Sequence, residues 1–282
     1  MKRILLSEMT NVNGLLYYQG NLFSGVSYER FDDETVRAWL VHDGRLDKPY
    51  LSPYFDDRSD LLHVDLSAGM SDYEIPCFDG KPYSGIAYSF EKDYCEREAL
   101  LIEGDVISDT WWSNDGILLR YEQYTPDYSE IYEWYRDGAL KRCSIWRRDS
   151  FNGALTYSQD GHLKGIGSRR GFFGEFSRIA SKSPAFPVRN VSDLFTLQCA
   201  EEVWLVGEDI DDFFVGNMCE AGMLMQTKKI CIVDTSITDS GITLLAKCPL
   251  LRNFDIQEKD VHRLQLLKAA LAGMESIQAK FS

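Results

Sequence analysis

Residues 18–28 and 78–88 carry one pattern sixty positions apart. Tyr18-Gln-Gly20-Asn-Leu-Phe23-Ser24-Gly25-Val-Ser-Tyr28 matches Phe78-Asp-Gly80-Lys-Pro-Tyr83-Ser84-Gly85-Ile-Ala-Tyr88. The match runs on without a gap through Arg37/Arg97, Leu40/Leu100 and Gly44/Gly104. A shorter unit, Asp-Gly-x-Leu, begins at Asp43, Asp115, Asp137 and Asp160. Asp-Gly supplies the left-handed backbone of a tight hairpin turn. The flanks alternate and are aromatic, as in Ile131-Tyr-Glu-Trp134-Tyr-Arg, which is strand patterning. A lone hairpin cannot bury its face, so the repeats predict hairpins of about 22–24 residues sharing one core in an elongated twisted sheet.

The rest of the chain is punctuated differently. Residues 11–170 are rich in Tyr, Trp, Phe, Gly and Asp, and residues 195–282 in Leu, Ile, Val, Met and Ala. The glycine- and serine-rich stretch between them reads as a connector, with Pro184 and Pro187 stiffening its exit. The predicted division is 1–170, a connector 171–194, and 195–282. Residues 47–77 lack the repeat motif and read as an acidic insertion or a degraded repeat.

In the last part, Val203-x-Leu205, Ile230-x-Ile232, Phe254-x-Ile256 and Ile277-x-Ala279 are predicted strand cores. Thr238 can cap a helix that Asp239 suits and Pro249 stops. Val261, Leu264, Leu267 and Leu271 form one helical stripe over 259–272. Strand and helix alternating at 20–29 residues is the arithmetic of a leucine-rich repeat. The fold class predicted is α+β: an antiparallel hairpin sheet followed by a short α/β layer.

Two resemblances follow from these residues. Gly20, Phe23, Gly25 and Tyr28, and again Gly80, Tyr83, Gly85 and Tyr88, resemble the MORN-repeat variant found in bacterial antitoxins and immunity proteins. Ile230–Leu251 resembles the cysteine-containing, helix-bearing class of leucine-rich repeats, although the Asn ladder is missing and Asp234 or Thr235 sits near its place. The first resemblance implies a non-catalytic protein that binds and neutralises a toxin. The alternative it implies is a general scaffold or adaptor for another protein or a membrane surface.

Charge agrees with protein binding. The 44 acids exceed the 30 Lys and Arg, for a net charge of −14. Such a chain repels nucleic acid and anionic lipid and attracts basic partners. The imbalance is local: residues 201–220 hold seven acids and no Lys or Arg, while 136–170 hold eight bases against three acids. Glu208, Asp209, Asp211 and Asp212 form the sharpest acidic cluster, read either as first-turn helix acids or as a binding patch. Phe213 and Phe214 stand where an EF-hand needs its fifth ligand and glycine, which rules out that calcium loop. The aromatic run from Tyr121 to Tyr135 holds interface-type residues. The candidate partner-binding set is therefore Glu208, Asp209, Asp211, Asp212, Tyr124, Tyr128, Glu130 and Tyr135, with Asp56 and Asp57 from the acidic stretch. Trp111 and Trp112 fall on opposite faces, which predicts one of them exposed.

Motifs for chemistry are missing. There is no Gly-x-Ser-x-Gly, no His-Glu-x-x-His and no P-loop. Gly165-Ile-Gly167-Ser-Arg-Arg-Gly171 has one residue too many for the dinucleotide fingerprint. His42, His63, His162 and His262 have no cysteine at metal-ligand spacing. The expectation is no catalytic residue, no cofactor and no metal. Seven scattered cysteines without a Cys-x-x-Cys read as reduced core thiols. With no apolar h-region at the start, they predict a cytoplasmic protein.

Overall fold

The computed structural model describes residues 1–55, 61–66, 76–147, 150–180, 188, 190–274 and 276–282. The chain forms two compact units, one of Met1–Pro126 with Glu133–Gly138 and one of Asp127–Tyr132 with Ala139–Ser282. It is α+β, with far more strand than helix.

The repeat in the first unit is deeper than its sequence signal. Strand Gly25–Arg30 pairs with Val36–His42 so that Gly25 faces Val41, and Gly85–Glu91 pairs with Tyr94–Ile102 so that Gly85 faces Leu101. Trp39 faces Pro49 and Ala99 faces Asp109, with a bulge after Leu40 in one copy and after Leu100 in the other. Lys2–Leu5 runs parallel to Gly25–Arg30, and His63–Asp65 runs parallel to Gly85–Glu91, in the same register sixty residues on. The segment read as an insertion or degraded repeat thus supplies the first strand of the second module.

The modules interlock reciprocally. Lys2–Leu5 meets the other module antiparallel at Tyr94, and His63–Asp65 meets the first module at Thr35. Six strands therefore close into a ring rather than lying in an open elongated sheet. The physical reason is that each first strand has two edges and each finds a partner, which removes exposed donors and acceptors. The two motif glycines allow this approach. A Cβ at Gly25 would lie 2.5 Å from the Lys2 carbonyl oxygen, and one at Gly85 2.4 Å from that of Leu62.

Side chains alternate across the ring wall. Leu5, Val26, Tyr28, Val36, Ala38, Ile86, Tyr88 and Leu100 share the central core. The Tyr28 and Tyr88 rings, equivalent by the repeat, meet edge to face at 5.2 Å. Each module keeps a smaller outer cluster, with Ile4, Phe23 and Val41 in one and Val64, Tyr83 and Leu101 in the other.

The Asp-Gly turns divide into two kinds. At Asp43-Gly44 and Asp79-Gly80 both residues are left-handed, as a two-residue hairpin requires. At Asp115-Gly116, Asp137-Gly138 and Asp160-Gly161 only the glycine is. There Gly116 N–H donates to Ser113 O at 2.8 Å and Ser113 N–H to Ile117 O at 2.9 Å, the longer loop with a glycine bulge.

The ring encloses charge. Arg3 and Glu98 form an ion pair with both side chains 1% exposed. Tyr28 Oη donates to Glu98 Oε1 at 2.8 Å, and Arg3 Nη1 donates to Tyr50 Oη at 3.1 Å. The Arg3 guanidinium lies 4.1 Å from the Trp112 ring centroid. Burial works against the Arg3 charge, but Glu98 and the surrounding tyrosines outweigh it and hold the group protonated. Trp111 and Trp112 are both half-buried, so neither is the exposed indole expected; each lies under an arginine, Arg97 at 4.7 Å over Trp111.

The second unit begins with an antiparallel meander, Leu140–Arg147, Ser150–Tyr157 and Leu163–Ser168. Helix Phe172–Ala180 lies in the predicted connector. Cys199–Val206 then joins Leu163–Ser168 in parallel, followed by Lys229–Val233, Asn253–Gln257 and Gln278–Phe281, all parallel. The inward row is Val203, Ile230, Phe254 and Ala279. The last strand sits two residues later than expected, with Ala279 rather than Ile277 opposite Phe254. Helices Asp212–Glu220, Asp239–Leu245 and Val261–Leu271 connect these strands. Thr238 caps the middle one as predicted, accepting from Ser240 N–H at 3.2 Å. In the last helix only Leu267 and Leu271 of the stripe are buried.

Glu98→Ala should lower unfolding stability by about 3–5 kcal/mol in urea titration, because Arg3 is left buried and unpaired. Arg3→Met with Glu98→Met should recover most of that loss. His63, whose Nδ1 faces Tyr88 Oη at 2.8 Å, is held below its ordinary value of 6.5 chiefly by burial. The fold therefore favours the neutral ring: this contribution is full above pH 6.5 and is lost as the pH falls toward the lower folded value. His63→Gln should flatten the fall in melting temperature below pH 6.5.

Candidate functional site

The parallel strands of the second unit have one face under helices and one face that is partly exposed, with Cys231 buried within it. Alternation sends Val203, Leu205, Ile230, Ile232, Phe254 and Ile256 inward, where all are buried. The residues between them point the other way. Register places Trp204, Cys231, Asp255 and Lys280 in one row and Glu202, Lys229, Asn253 and Gln278 in the next. Parallel sheets are ordinarily covered on both sides. Here Trp204 is 36% exposed, and the Glu202 and Lys229 side chains are 43% and 36% exposed.

Glu202 organises this face. Its Oε1 accepts from Lys229 Nζ at 3.2 Å and from Trp204 Nε1 at 3.2 Å. The Lys229 hydrogen bond is the main cause that holds the Glu202 carboxyl below the usual range. Burial pushes the neighbouring Cys231 thiol up to about 11, so it is not a thiolate nucleophile at neutral pH. Lys229, Asp255 and Lys280 line a shallow hollow of about 380 Å³ farther along. The result is a strip of mixed charge beside one indole.

The acidic cluster takes a structural part. Asp211 caps helix Asp212–Glu220, accepting from Phe214 N–H at 2.8 Å. Asp209 Oδ2 accepts from Phe172 N–H at 3.0 Å and Ser168 Oγ at 3.1 Å. Asp212 accepts from Thr238 N–H at 2.7 Å and from its hydroxyl at 2.5 Å. Glu208 is exposed. Of the two readings the sequence left open, helix-end acids describe these contacts.

The aromatic candidates are divided as well. Glu130 is only 5% exposed and accepts from Tyr132 Oη at 2.5 Å, so it is a core group and not a surface contact. Burial raises its carboxyl above the usual range. Its position beside the inward Tyr132 hydroxyl accounts for the difference from the expectation. Tyr124 is half-buried and donates to Glu122, and Tyr128 and Tyr135 are half-buried. Asp56 and Asp57 lie outside the described residues. Sequence reasoning missed Glu202, Trp204, Lys229 and Asp255. Their signal was present, since each stands next to a predicted inward residue and must face the other way.

No family model matches the sequence, and no curated protein matches it. Among solved structures, a GtfA/B complex chain is 14% identical, with 66% of this chain and 37% of that chain covered and a TM-score of 0.19. A GtfA/B complex bound to UDP and GlcNAc gives 12%, 74% and 62%, with a TM-score of 0.23. The Glycosylation Associate Protein (Gap123) complex from Streptococcus agalactiae gives 9%, 76% and 62%, with a TM-score of 0.21. The chain spans 37–62% of the lengths of these proteins. Likeness of that size carries no argument about fold or function. Among the described residues no helix is long and apolar enough to cross a membrane.

Capping and binding roles separate by mutation. Asp211→Ala should lower stability by about 1 kcal/mol in thermal or urea unfolding, as loss of a helix cap does. Glu208→Ala should leave stability within about 0.5 kcal/mol of the parent.

Proposed function

We propose that the protein is a non-catalytic binding protein of the immunity or antitoxin kind, which covers a basic protein partner. The open face of the parallel sheet carries this reading. Trp204 offers a large rigid anchor, and Glu202 and Asp255 offer carboxylates on the same side. A net charge of −14 supports a basic partner by speeding encounter. The resemblance of Gly20–Tyr28 and Gly80–Tyr88 to the MORN-repeat variant supports the immunity label, and the βα succession supports the leucine-rich-repeat comparison.

Neutralisation would follow from coverage alone. Carboxylates would steer a cationic surface onto the sheet, and the indole would slow release once water is excluded. No bond need be made or broken in such a partner.

The test is affinity capture from native cells, followed by growth assays with whatever co-elutes. A stoichiometric basic partner that arrests growth alone, and not together with this protein, is the expected result. Trp204→Ala with Asp255→Lys should weaken the complex by at least about 2 kcal/mol, and association should slow as salt rises. A partner that is harmless to cells would turn the reading to a general adaptor. Undiminished binding by the double variant would remove the open face as the site.

A further inference from the structure

The duplicated modules contain the same fork twice, and among the described residues one fork is closed by side chains and the other holds a cleft. In each, one strand pairs at its far end with the strand that follows it, then meets the other module's first strand at its near end. In the second module, Arg97 Nε donates to both Asp109 oxygens at 3.0 and 2.9 Å, and Nη2 donates to Oδ2 at 2.6 Å. The guanidinium lies 4.7 Å from the Trp111 ring centroid. Behind it the Arg3–Glu98 pair closes the space.

Sixty residues earlier the arginine is kept and its surroundings are not. Arg37 stands at the Arg97 position, but Pro49 replaces Asp109, Leu51 replaces Trp111, Ala38 replaces Glu98 and His63 replaces Arg3. An acid, an indole and a second ion pair have become three small or apolar groups and an imidazole. A cleft of about 580 Å³ opens there, with Arg37, Trp39, Tyr50, Leu51, Leu62 and His63 on its walls. Glu29 stands opposite Arg37 across the strand pair, where Ser89 stands opposite Arg97, but among the described residues no carboxylate is within ion-pair distance of the Arg37 guanidinium, which lies 4.9 Å from the Phe31 ring.

We propose that this cleft binds a small carboxylic acid with an apolar body, such as an aryl-alkanoic or medium-chain fatty acid. Its carboxylate takes the place at Arg37 that Asp109 holds at Arg97. Its body lies against Leu51, in the space that the Trp111 indole fills beside Arg97 in the other fork. The volume suits a ligand of about a dozen heavy atoms, and the walls are mostly apolar with few polar groups, as in small-molecule sites. Arginine binds a carboxylate by two parallel hydrogen bonds, which sets orientation as well as affinity.

The probe is 4-phenylbutanoate, with 4-phenylbutanamide as its neutral counterpart. Both are titrated into the full chain while the Trp39 indole N–H is followed by NMR. The expected result is a saturable shift, with the acid bound at least about tenfold more tightly than the amide. Arg37→Gln should erase that preference. Pro49→Asp should weaken the acid at least about tenfold by placing a carboxylate beside Arg37, and leave the amide unchanged. Both positions lie toward solvent, and unchanged melting temperatures would show that the variants are folded. Equal affinity for acid and amide, a preference that survives Arg37→Gln, or no saturable shift at Trp39 would each overturn the proposal. The cleft belongs to the first unit and the open sheet face to the second, so either reading can fail without the other.

Discussion

The Arg3–Glu98 ion pair ties the first strand of one module to the third strand of the other. Two charges taken out of water are tolerated only where each has a counter-ion and further hydrogen bonds. Here Tyr28, Tyr50 and Thr110 supply those bonds, and Trp112 covers the guanidinium. The interior of the ring is thus specified by chemistry as well as by volume. A shifted register would strand a charge among apolar side chains, which selects against other pairings of two nearly equivalent modules.

Duplication explains why the two halves of the ring resemble one another, and divergence explains how they differ. Where one fork has Arg3, Glu98, Asp109 and Trp111, the other has His63, Ala38, Pro49 and Leu51. The first set pairs its charges and packs closed, although Arg3 Nε is left without a hydrogen-bond partner. The second leaves room and an arginine at its wall. Equivalent strand pairings therefore carry a closed cluster of charges in one fork and a cleft in the other.

The repeat was legible from Gly20, Gly25, Gly80, Gly85 and the aromatic residues between them, because close backbone approach and turn geometry demand those residue types. The first strands were not legible. Lys2-Arg-Ile-Leu5 and Leu62-His-Val-Asp65 share no residue, since backbone hydrogen bonds fix their place and ask little of the side chains beyond alternation. In the second unit, period-two and helical spacing located strands and helices well. The acidic cluster stayed open between two readings because carboxylates that cap helices and carboxylates that meet a partner look alike in sequence. Glu130 misled because an aromatic run does not reveal which of its polar neighbours lies inside. The outward residues Glu202 and Trp204 were implied by their inward neighbours.

The ring also sets an order of events during synthesis. Arg3 and Glu98 are 95 residues apart in sequence, as the closure of the ring requires. Contacts between distant residues form slowly, because a long loop must be closed before they can stabilise anything. The strand Lys2–Leu5 is made before the second module, and it has no complete partner until that module follows. Its guanidinium must stay hydrated until then, and this delays commitment to the ring until both modules are present. A nascent chain ending before Tyr94 would have neither the counter-ion nor the antiparallel neighbour that strand Lys2–Leu5 needs.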